Sequence, residues 1–156
     1  MNYLSFGWTG PGLLAAELSR PLKQISIEFV INRPRFITLW RSDGTGLRLY
    51  TDMHDVAERR EVGVLNVNRV STPQPDEVLA TVPPAFESEI IVFKLLIRES
   101  GVEAESGVVF TTQAGDEIVV VAGAYPYSLA VQGVSSLPHV FEPEYPLDQY
   151  LRVPIA

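Results

Sequence analysis

The densest set of groups that could do chemistry lies in a polar stretch, Thr51 to Glu61 (TDMHDVAERRE), which holds Asp52, His54, Asp55 and Glu58. On a helix, His54 and Glu58 stand one turn apart, close enough to share a metal ion or a proton. A neighbouring carboxylate raises an imidazole pKa and suits it to general-base work. Against this, Arg59, Arg60 and Glu61 follow at once, the pattern of a solvated face whose charges pair among themselves. The stretch reads as a short exposed helix or a broad loop. His139, near Glu142 and Glu144, is the second histidine of the chain, and a two-histidine site needs both brought together by the fold. Ser88, Ser100, Ser106, Ser128, Ser135 and Ser136 sit in no nucleophile-elbow motif. Phe6-Gly7-Trp8-Thr9-Gly10-Pro11-Gly12 precedes a short helix but lacks both a Walker lysine and a preceding strand, which rejects a phosphate loop. Asp43-Gly44-Thr45-Gly46 reads as a turn before it reads as an anion or metal site. These patterns assign no cofactor and no metal.

The elements that must position such groups begin with a hairpin. Val108–Thr112 and Ile118–Ala122 are rich in β-branched and aromatic residues, and Gln113-Ala114-Gly115-Asp116 joins them. Gly115 supplies the positive φ of a tight turn. Ile118-Val119-Val120-Val121 has no polar alternation, so this strand is covered on both faces and central in its sheet. Ahead of it, 25–31, 36–41 and 47–50 read as a three-stranded antiparallel meander, and 62–70 as a further strand. Leu13–Leu18 reads as a short helix stopped before Pro21. Residues 71–85 form a proline-rich connection. Phe86, Ile90, Phe93 and Ile97 fall on one helical stripe; Glu87 and Glu89 suit its start, and Arg98 and Gly101 its end. The expected architecture is therefore one α+β domain over 1–156: a mostly antiparallel sheet, a main buried helix at about 86–99 and a short N-terminal helix. Ser128–Gln132 is the last strand, and a proline-punctuated tail follows.

Composition narrows the function classes. A chain of 156 residues, 46% hydrophobic and 20% charged, can bury a core and is not disordered. No apolar run is long enough for a membrane span, and the first residues lack the layout of a secretory signal. With no cysteine there is no disulfide and no thiolate metal site, and the expected location is cytoplasmic. The net charge of −7 divides into +2 over residues 1–60 and −9 over 61–156. Acid of this density repels phosphate backbones, which argues against nucleic-acid binding.

Acidic charge without a coherent catalytic constellation points to a non-catalytic interaction protein binding a basic partner, as an immunity or inhibitor protein does. Glu103, Glu105, Asp116 and Glu117 near the hairpin, with Glu142, Glu144 and Asp148 in the tail, would steer that partner. Tyr125, Tyr127 and Tyr145 would anchor it. The alternative is a small-ligand binder or enzyme with a polar site around His54.

Overall fold

The computed structural model describes residues 2–58, 60–134 and 140–155. In chain order the strands are β1 (Asn2–Leu4), β2 (Gly7–Trp8), β3 (Gln24–Val30), β4 (Arg33–Trp40), β5 (Gly46–Ala57) and β6 (Arg60–Val70). They continue as β7 (Val78–Ala80), β8 (Ile91–Glu99), β9 (Val102–Thr111), β10 (Glu117–Ala122), β11 (Leu129–Gln132) and β12 (Leu151–Pro154). One sheet runs β2-β6-β5-β4-β3-β7; the other runs β11-β10-β9-β8-β12, with β1 pairing in parallel with the start of β9. The chain thus leaves β1 in one sheet and enters β2 in the other within three residues.

The inner face of the first sheet presents Ile25, Ile27, Ile37, Leu39, Leu47 and Leu49, which share a core with Val108, Phe110, Ile118 and Val120 of the second. Two sheets packed face to face over such alternating side chains make a β-sandwich. The far face of the second sheet is covered as well. Val109, Val119 and Val121 pack there with Leu95 and Ile97, under Tyr145 and Tyr150 of the tail and Val62 and Val64 of β6. Strand β10 is consequently buried on both faces, as its unbroken apolar run requires.

The end of the β5–β6 hairpin bends across the second sheet at Gly63, where an added Cβ would stand 2.6 Å from that of Ala122. A bulge fixes this crossing: Leu95 pairs with Gly107 and Leu96 with Glu105, which leaves Ser106 as the extra residue. Its buried hydroxyl donates to the Gly63 carbonyl at 2.6 Å.

The α+β expectation is overturned: the protein is mostly β. Where a main buried helix was expected over 86–99 there is a 3-10 turn, Pro84–Glu87, followed by β8. Two features of β8 imitate a helix. Val92 faces the inter-sheet core while Leu95 and Ile97 face the tail, so both faces are apolar and no alternation survives. Gly101, which suits a helix stop, instead completes the two-residue tip Ser100-Gly101 of the β8–β9 hairpin, with φ of 51° and 78°. Both roles ask for the same left-handed backbone, so the glycine cannot distinguish them. Among the described residues, helical structure is otherwise one five-residue helix, α1 (Leu14–Leu18), and a 3-10 turn at Leu147–Gln149. No helix among the described residues is long and apolar enough to cross a membrane.

The polar stretch 51–61 is neither helix nor loop. It is the far part of the β5–β6 hairpin, paired from Thr51↔Leu65 to Ala57↔Arg60. The connection 71–85 contains β7 and delivers Glu77 to the outer face of the first sheet. There the carboxylate, 3% exposed, accepts from Ser26 Oγ at 3.1 Å, from the Gln74 amide at 3.1 Å and from Arg48 Nη2 at 3.0 Å.

Candidate functional site

Side chains alternate along a strand, so Asp52 and His54 share one face of β5 and Asp55 takes the other. Glu58 lies in the turn beyond it, and the helical spacing of His54 and Glu58 has no counterpart. Asp52 accepts from Asn66 Nδ2 at 2.7 Å, and His54 is exposed opposite Val62. Among the described residues no group of three or more histidine, aspartate or glutamate side chains could hold a metal ion. His139, with Ser135 and Ser136, lies outside the described residues. Zinc and manganese are expected to leave the melting temperature of the protein and of His54→Ala alike. A metal-induced rise that disappears with His54→Ala would restore a site there.

The Asp43 turn is closed on itself. Its carboxylate accepts from the Thr45 amide at 2.9 Å, from Thr45 Oγ1 at 2.6 Å and from Arg20 Nη2 at 2.5 Å. These bonds, Thr45's foremost, hold its pKa far below the usual carboxylate range.

Four of the seven carboxylates named for steering have internal partners. Glu103 pairs with Arg98 at 2.6 Å and Glu117 with Arg152 at 2.8 Å. Glu105 is buried, pairing with Lys94 and accepting from Tyr3 and the Phe6 amide. Glu144 accepts from the Gly63 amide at 3.2 Å. Asp116, Glu142 and Asp148 form no ion pair among the described residues. Tyr145 is buried, edge-on to Tyr150, with its hydroxyl accepting from Arg60.

Burial raises the pKa of Glu144, against the opposing bond from Gly63. A carboxyl whose folded pKa is raised favours folding most at low pH, and that contribution is lost as pH rises through the folded value. Glu144→Gln keeps an acceptor for Gly63 and removes the buried charge. It is expected to melt higher than the parent at pH 7 and equally at pH 4. A lower melting temperature at pH 7 would contradict this placement.

Tyr125 and Tyr127 arrive at a different surface, one that sequence reasoning did not single out. The β3–β4 hairpin turns on two residues, Ile31 and Asn32, with φ of 51° and 62°. Positive φ at both positions is the type I′ pattern, which favours glycine and asparagine; a β-branched residue there is an outlier. Opposite it, the Ser128 amide donates to the Tyr125 carbonyl at 3.0 Å across Pro126 and Tyr127, and Tyr127 has φ of 64°. This is the geometry of a type II turn, whose third position ordinarily takes glycine or asparagine.

Between the two turns lies a cleft of about 150 Å³, walled by Val30, Ile31, Pro34, Tyr125, Pro126 and Tyr127. Arg33 and Arg35 also line it. The guanidinium of Arg33 stacks on Tyr125, 3.4 Å from the ring centroid, and that of Arg35 lies 5.4 Å from the centroid of Tyr127. Arg35 is itself the extra residue of a bulge, since Glu28 pairs with Phe36 and Phe29 with Pro34. Bulges re-aim side chains and occur often beside functional sites. Neither arginine has a carboxylate partner among the described residues, and Arg33 Nε is buried without an acceptor. One sequence signal marks this place: residues 29–42 contain three arginines and no acid, in a chain of net charge −7. Comparison with protein-family models, with curated proteins and with solved structures gave no match.

Proposed function

We propose that this chain is a non-catalytic interaction protein whose partner docks on the Ile31-Asn32 tip and the Tyr125–Ser128 turn. One observation carries the reading. Of the four non-glycine residues with positive φ among the described residues, Ile31, Asn32 and Tyr127 all border this one surface. Glycine or asparagine would make the same turns at lower cost, and strained backbone persists where the side chains it presents are used. The surface also gathers exposed apolar side chains. Val30, Ile31, Tyr125, Tyr127 and Val140 are five of the eleven large hydrophobics exposed among the described residues. Tyrosine and arginine are the usual anchors of protein interfaces.

The test uses the double variant Ile31→Asn/Tyr127→Gly as bait beside the parent. Each substitution relieves about 1 kcal/mol of left-handed strain, so melting should rise by about 2–4 °C per site. The partner recovered by the parent should be lost. A variant that melts no lower and still captures it would overturn the reading.

A second reading keeps the basic partner, of the immunity or inhibitor kind, for Asp116, Glu142 and Asp148, the three of the seven steering carboxylates that form no ion pair or side-chain hydrogen bond among the described residues. It rests on that freedom alone. Neutralising all three should slow association at low salt; an unchanged rate would end it. A cytoplasmic location belongs to the same proposal.

A further inference from the structure

We infer that the cleft between the two turns receives a single carboxylate side chain of the partner protein, held by Arg33 and Arg35. The inference rests on the docking surface just proposed and names its chemistry.

Among the described residues, the arginines other than the exposed Arg69 are otherwise spoken for. Arg20, Arg41, Arg48, Arg60, Arg98 and Arg152 each hold a carboxylate of their own chain. In a chain with 19 acids, two partly buried guanidiniums without one are an exception that needs a reason. Glu142 lines the pocket next to Arg33 yet makes no ion pair with it. The Arg33 guanidinium rests against the Tyr125 ring, and with Nε buried its terminal Nη groups are the donors that would meet an acceptor. Tyr127, held in its turn, places a second ring beside Arg35.

Size and lining choose among anions. A cleft of about 150 Å³ admits one side-chain group, whereas sites for whole small ligands run to about 300 Å³ or more. Its walls are mostly apolar, suiting an anion carried on a methylene stem with apolar neighbours. A net charge of −7 works against a polyanionic backbone at long range, while a single carboxylate is governed by the two nearby guanidiniums.

The test follows the arginine Nε–H signals of the labelled protein during titration with a capped peptide carrying one glutamate between leucines. Its glutamine twin, inorganic phosphate and single-stranded oligothymidylate serve as the other arms. The glutamate peptide should shift the Arg33 and Arg35 signals saturably, and the glutamine peptide should leave them in place. Arg33→Gln/Arg35→Gln should melt like the parent and bind the glutamate peptide at least about tenfold more weakly. Unmoved arginine signals, equal shifts with the glutamine peptide, or tighter binding of phosphate or oligothymidylate would each overturn the inference. So would retention of the natural partner by the double arginine variant. If Ile31→Asn/Tyr127→Gly loses that partner at the same time, only the chemistry fails and the docking surface stands.

Discussion

Val120→Asp is expected to yield no cooperatively folded protein. Val120 has no exposed surface, pairs with Val108 on one side and Val131 on the other, and lies in the core shared by both sheets. An aspartate there has no cation within the cluster and no route to water, and an unpaired buried charge costs several kcal/mol or more. The whole stability of a domain this size is about 5–15 kcal/mol. Val120→Ala keeps the strand and removes two methyl groups, at a cost of about 2–3 kcal/mol, and should still melt cooperatively. The pair separates a lost core from a lost strand. A Val120→Asp protein that stays in solution and melts in one transition would contradict the burial of β10 on both faces.

How much of this was legible in the sequence depended on whether a local rule had a single structural meaning. The β9–β10 hairpin could be read because β-branched runs flank Gly115, whose φ is +91° as the turn demands. The meander of β3, β4 and β5 could be read because Ile25, Ile27 and Ile37 alternate with residues of the outer face. Strand β8 could not, because burial on both faces erases the period that separates strand from helix, and a left-handed Gly101 fits either. The cleft was hidden for another reason. Its turns depend on positive φ at Ile31 and Tyr127, which those residue types argue against, and Arg35 owes its place to a bulge. Local propensity fails where tertiary packing holds the backbone against it, and such places are often the ones a protein uses.

The second large effect concerns the crossing of the N-terminal segment from one sheet to the other. Strands β1 and β2 have three and two residues, too few to hold by ladder bonds alone. Between them Glu105, its side chain 5% exposed, accepts from Tyr3 Oη at 2.5 Å, from the Phe6 amide at 2.7 Å and from Lys94 Nζ at 2.5 Å. Glu105→Ala removes all three bonds and leaves the Phe6 amide without this acceptor. Breaking a buried pair in this way costs about 3 kcal/mol, somewhat softened because Lys94 can turn to water. Melting should fall by about 6–12 °C, and amide exchange should quicken over residues 2–8 before any other part of the sheets. Glu105→Gln, which keeps an acceptor but not the charge, should fall between. The pH dependence has a definite sign. The bond to Glu105 raises the Lys94 pKa, and burial followed by Glu105 raises that of Tyr3. Groups with raised folded pKa values stabilise fully below their unfolded values, about 10 for both types, and lose that contribution as pH climbs through the folded ones. The crossing should therefore be intact at neutral pH and loosen in alkali, and this alkaline loss should shrink in Glu105→Ala. Unchanged exchange over residues 2–8 in that variant would show that the ladder bonds alone hold the segment, against the short lengths of β1 and β2.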